Sequence, residues 1–124
     1  DFGLSTKKSK DEENVSVSGA TIPFAAPEIL AEQKANLKSD VYTFGLTIYE
    51  IMARETPYTG ISTEELVLNY KKNNILPEMN FEVEKCKQEI VNLINNCCKT
   101  QPNERPSFEE IAKEVKDIIQ AITS

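Results

Sequence analysis

Ser39-Asp40-Val41-Tyr42-Thr43-Phe44-Gly45-Leu46-Thr47-Ile48-Tyr49-Glu50-Ile51-Met52 is the stretch on which the reading of the whole chain turns. Ser39-Asp40 reads as a helix start, because a hydroxyl and a carboxylate can take up the unpaired first-turn N–H groups. From Val41 onward apolar residues fall on nearly every face, the pattern of a helix buried all round. Gly45 in its middle costs about 1 kcal/mol against alanine, so it marks a close approach by another backbone. Pro57 and Gly60 then break the helix.

Moving toward the C-terminus, Ser62-Thr63-Glu64-Glu65 reads as a capping box that opens a helix through Lys72. Asn73, Asn74 and Pro77 end it. A further helix is expected from Glu84 to Cys98, with Ile90, Val91, Leu93, Ile94 and Cys97 apolar. Ser107-Phe108-Glu109-Glu110 is a second capping box. Its helix carries Phe108, Ile111, Val115, Ile118, Ile119 and Ile122 at three- and four-residue spacing. Toward the N-terminus, Pro27 suits a first helical position and Glu28 favours the positive end of the helix dipole. That helix is short and ends near Gln33. Residues 4–25 read as a long loop rich in lysines, acids and hydroxyls. Strand character is confined to a few residues near the N-terminus, and no internal repeat stands out. The fold class expected is therefore mainly α.

Composition narrows the function. The chain has 124 residues, one domain at most. Fourteen basic and twenty acidic side chains give a net charge of −6, with no basic stripe for nucleic acid. A 40% hydrophobic content supports a packed core. No apolar run reaches the roughly 18–20 residues of a membrane helix. There is no histidine, which removes His-based zinc sites and Ser-His or Cys-His nucleophiles. Cys86, Cys97 and Cys98 lack metal-ligand or disulfide spacing and fit a reducing compartment, with the thiols serving as small apolar groups. The chain opens Asp-Phe-Gly, with neither an initiator methionine nor a signal sequence. The expectation is a processed product or a piece of a longer protein.

Four signals stand in order: Asp1-Phe2-Gly3, Ala26-Pro27-Glu28, Asp40-Val41-Tyr42-Thr43-Phe44-Gly45 and Arg105-Pro106. Together they resemble the second half of a protein kinase domain, from its Asp-Phe-Gly motif onward. The resemblance covers essentially all of residues 1–124. It implies a partial kinase-like fold without the β-rich N-lobe, with residues 1–28 as the activation segment and 29–124 as the rest of the helical C-lobe. Ser39 to Gly45, with Arg105-Pro106-Ser107-Phe108, is most similar to the tyrosine-kinase-like branch of serine/threonine kinases, of mixed-lineage and receptor-interacting type.

The resemblance implies a role for each matching residue. Asp1 matches the carboxylate that holds Mg²⁺ on the ATP phosphates, Phe2 the aromatic that switches active and inactive states, and Gly3 the flexible third position. Ser16 and Ser18 are candidate activation-loop phosphorylation sites, for an upstream kinase or a second copy acting in trans; solvated loop hydroxyls are the plainer alternative. Thr21 aligns with the threonine of a Gly-Thr-x-x-Tyr-x-Ala-Pro-Glu segment and would help position substrate. Ala20 stands for the usual glycine and Phe24 for the usual tyrosine, while Pro23 leaves open a tyrosine-kinase type. Glu28 and Arg105 match a buried ion pair. Asp40 matches an acid that anchors the catalytic loop, and is also a plain first-turn acid. Cys97 and Cys98 read as core.

The same resemblance implies ATP and Mg²⁺ as cofactors, protein substrates, and a cytoplasmic location. These 124 residues contain no Gly-rich phosphate loop, no Val-Ala-Ile-Lys lysine and no His-Arg-Asp motif. The isolated chain is therefore expected to be inactive, and the face of helix 40–52 that upstream helices would cover is expected to lie open. The functional expectation is a part of a Ser/Thr protein kinase. The alternatives are a pseudokinase or docking module and, more remotely, an unrelated helical interaction fragment.

Overall fold

The computed structural model describes residues 22–32 and 36–124. Among them the fold is mainly helical and contains no strand. A 3₁₀ turn at Ile22–Phe24 leads into α1, Pro27–Glu32. Helix α2 is Leu37–Ala53. Helix α3 is a single turn, Thr63–Glu65, that runs on into a π-helical stretch, Leu66–Lys71. Helix α4 is Lys87–Cys97, a 3₁₀ turn covers Pro102–Glu104, and α5 is Phe108–Thr123.

Helix α2 is the axis of the molecule. It starts earlier than Ser39-Asp40: Asn36 is the N-cap, and its side-chain oxygen accepts from the Ser39 amide at 2.9 Å. Ser39 is free to point inward because Asn36 takes the capping role. The helix ends at Arg54, which adopts a left-handed conformation (φ 62°) and donates its amide to Glu50. Val41, Tyr42, Leu46 and Tyr49 are buried on one face. The opposite face is only partly covered, by residues such as Phe108 of α5, which meets the Phe44 ring edge-on at 5.9 Å. Ile51 is 62% exposed, so the helix is not buried all round within this chain.

Helix α4 crosses α2 at Gly45. A Cβ there would lie 2.7 Å from Cys97 Cβ and 3.0 Å from Cys98 Sγ, closer than side-chain carbons approach. The glycine is thus required by the crossing. Helix α4 begins at Lys87 rather than Glu84, after Cys86 in a left-handed conformation (φ 64°). Cys97 and Cys98 are buried in the core, and burial pushes both thiols up to about 12, so they stay protonated. The Ser107 box forms in full: Ser107 Oγ accepts from the Glu110 amide at 3.1 Å, and Glu110 accepts from the Ser107 amide at 2.9 Å. At Ser62 only the forward half forms, to the Glu65 amide at 3.2 Å.

Candidate functional site

The site is built where the segment 22–28 meets the N-terminal end of α2. Ile22, Ala25 and Ala26 are buried beneath this segment. Its turn closes through the Ala25 amide onto the Ile22 carbonyl at 3.0 Å. Two side chains from the body hold consecutive carbonyls. Lys71 Nζ donates to Pro23 O at 2.8 Å, and Thr43 Oγ1 donates to Phe24 O at 2.9 Å.

Beyond the turn, Glu28 is held by a fork. Arg105 Nη1 donates to Glu28 Oε2 at 2.7 Å and Nη2 donates to Oε1 at 2.9 Å. Two parallel bonds of this kind match a planar guanidinium to a carboxylate. Ser39 Oγ adds a third donor to Oε2 at 2.8 Å. The remaining Arg105 hydrogens go to the carbonyls of Lys99, Lys38 and Thr100 at 2.8, 2.8 and 3.3 Å. All five guanidinium donors are therefore used. The Arg105 side chain is fully buried while Glu28 keeps 15% exposure. Lys38 Nζ closes the ring of bonds on the Arg105 carbonyl at 2.7 Å. Burial pushes the Glu28 carboxyl up, but the bonds from Arg105 and Ser39 outweigh it and hold it below the usual value.

Tyr42 joins this polar clamp to Lys71. The Arg105 guanidinium lies over the Tyr42 ring at 4.9 Å and Lys71 Nζ at 5.2 Å from its centroid. The Tyr42 hydroxyl donates to Asn74 Oδ1, and Asn74 Nδ2 reaches Cys98 O at 3.1 Å and Thr100 Oγ1 at 2.9 Å. Burial drives the Tyr42 hydroxyl well above its ordinary range, so it acts only as a neutral donor.

The other sequence-derived candidates are placed as follows. Asp1, Phe2, Gly3, Ser16, Ser18 and Thr21 lie outside the described residues. Asp40 sits exposed in the first turn of α2, with its carboxyl raised by partial burial. Among the described residues it makes no side-chain hydrogen bond. No group of three or more metal-ligating side chains occurs among the described residues either. Reading the sequence missed Lys38, Lys71 and Asn74 and took Ser39 only as a cap. Lys71-Lys72 looks like solvated surface. What brings Lys71 inward is the π-turn, for which the sequence carries no local signal.

Comparison with known proteins agrees on one family. A family model described as protein tyrosine and serine/threonine kinase matches residues 1–115. The chain is 34% identical over 118 residues to the probable serine/threonine-protein kinase drkC of Dictyostelium discoideum, covering 94% of this chain and 15% of that protein. It is 33% identical over 111 residues to the mitogen-activated protein kinase kinase kinase dlk-1 of Caenorhabditis elegans, covering 90% and 12%. Against the human tyrosine-protein kinase FRK it is 30% identical over 129 residues, covering 100% and 25%. The chain thus spans a quarter or less of the length of these relatives. The clamp from Glu28 to Arg105 lies within the matched span, and the chain belongs to the protein tyrosine and serine/threonine kinase family.

Proposed function

We propose that the chain is part of a kinase that moves the γ-phosphate of ATP onto serine and threonine hydroxyls of protein substrates. The observation that carries this reading is the Arg105–Glu28 fork, which docks the segment before Ala26-Pro27-Glu28 onto the helical body. A segment that meets substrate must hold one shape, and burying this fork fixes it. Serine and threonine are favoured over tyrosine because Thr21 stands at the substrate-positioning threonine.

In this reading Asp1 is the one residue of the chain that would hold Mg²⁺, with its remaining ligands coming from outside these 124 residues. The ion, when bound, neutralises charge on the phosphates. Phe2 and Gly3 set the position of Asp1. Thr21 orients the acceptor, and Asp40 anchors the catalytic loop. Ser16 and Ser18 would receive phosphate from an upstream kinase or a second copy. One carboxylate cannot hold Mg-ATP alone, so the isolated 124 residues are inactive. We place the domain in the cytoplasm, where ATP is abundant and three free thiols stay reduced. Among the described residues, no helix is long and apolar enough to cross a membrane.

The test is phosphate transfer from γ-labelled ATP by the parent protein. Labelling of a protein substrate on serine or threonine is expected, with loss of it on Asp1→Asn and none from the isolated chain. A folded parent that transfers no phosphate would make it a pseudokinase. Transfer unaffected by Asp1→Asn would also overturn the reading.

A further inference from the structure

Lys71 is a lysine with 1% of its surface exposed. The cause is local. Leu66–Lys71 is π-helical, and i→i+5 bonding brings Lys71 beneath Leu66 on the inward face, where a regular α-turn would bring Tyr70. Such insertions concentrate at functional sites. Among the described residues, Lys71 Nζ makes a single hydrogen bond, to the Pro23 carbonyl at 2.8 Å. It lies over the Tyr58 ring at 4.9 Å and the Tyr42 ring at 5.2 Å. A buried ammonium without a carboxylate is costly, and a helix surface would accept Lys71 without that cost. The burial therefore calls for a reason, and the atom it reaches supplies one.

We propose that Lys71 is a substrate-positioning residue. By fixing the Pro23 carbonyl it sets the turn at 22–26 against which a substrate peptide is seated. The proposal rests on the kinase reading. Thr43 fixes the next carbonyl from α2, so two side chains from different elements hold the turn. Only the bond from Lys71 changes strength with protonation, because an ammonium donates more strongly than an amine. Among the described residues, the groups facing it are the Tyr42 and Tyr58 hydroxyls, the Cys98 thiol and, across the Tyr42 ring, Arg105 with Glu28. The tyrosines and the thiol stay neutral, and Glu28 is neutralised by Arg105. Burial pushes Lys71 from its ordinary value down to about 7, so its protonation changes near neutral pH.

The test uses the parent protein and a peptide substrate, with kcat and KM measured at about pH 6 and about pH 8. Wild-type peptide KM is expected to rise between the two. Lys71→Met should raise peptide KM about tenfold at the lower pH and abolish its pH dependence, with kcat and the KM for ATP within about twofold. Lys71→Arg, which does not deprotonate, should keep a low KM at both pH values. A peptide KM unmoved by Lys71→Met, or parallel losses of kcat and thermal stability in both variants, would overturn the proposal alone. Absence of transfer by the wild type would overturn the kinase reading and this proposal with it.

Discussion

Two sides of helix α2 face opposite fates. On the side toward Glu28 and Arg105, the buried polar side chains described are paired. Among the described residues, no buried side-chain nitrogen or oxygen lacks a hydrogen-bond partner. On the other side, Phe44, Ile48, Ile51 and Met52 look across a groove of about 230 Å³ toward Ile119 and Ile122 of α5. Ile51, Ile119 and Ile122 are 62%, 53% and 44% exposed. The difference is one of closure. Directional bonds can be completed by a few residues of this chain, whereas an apolar face is satisfied only by a whole neighbouring element. The clamp is finished here, and the groove is not.

The largest way to break this contrast is Arg105→Ala. It leaves the Glu28 carboxylate with only the Ser39 hydroxyl as a side-chain donor, and loss of one partner of a buried pair costs about 3–5 kcal/mol. Because Glu28 keeps some exposure, the lower end of that range is expected, as a fall in the denaturant midpoint of the parent kinase domain. Gly45→Ala comes next. Its Cβ would meet Cys97 Cβ at 2.7 Å, and overpacking of this kind costs about 1–3 kcal/mol. An unchanged melting temperature would show that α2 and α4 separate easily.

Acidity sharpens the same contrast with two opposite signs. Burial raises the Glu28 carboxyl, its hydrogen bonds more than reverse this, and its folded value lies below 4.5. The fork's contribution is therefore complete above 4.5 and is lost as pH falls through the lower folded value. Lys71 is shifted by burial from 10.5 down to about 7. Between those values the unfolded chain holds more protons, so stability rises with pH by at most about 1.4 kcal/mol per unit. Lys71→Met should flatten that rise, and Glu28→Gln should flatten the acid limb. Urea midpoints of both variants across the pH range check each sign. The smallest effect is expected at Ile51→Glu in the groove. It should shift stability of the isolated chain by no more than about 0.5 kcal/mol while reducing its self-association.

How much of this was legible in the sequence depended on range. The Ser107 box was legible because all of its partners lie within four residues. The start of α2 was misplaced because Asn36, Ser39 and Asp40 are all good caps. Asn36 takes the cap, and the Ser39 hydroxyl goes to the Glu28 carboxylate, a partner eleven positions away. Gly45 announced a close approach without naming Cys97. The pairing of Glu28 with Arg105 spans 77 positions, so family resemblance alone brought the two together. Apolar periodicity marked α2 as a core helix, but it could not tell which face this chain covers. Lys71 was invisible because one π-turn rotates it from surface to core.

The decisive measurement on this contrast is sedimentation velocity with thermal melting of the 124-residue chain alone. A completed clamp beside an open groove predicts association, or a broad melt with little cooperativity, that Ile51→Glu shifts toward monomer. A monomeric wild-type chain with a sharp cooperative melt would contradict it, and would mean that the apolar face needs no cover.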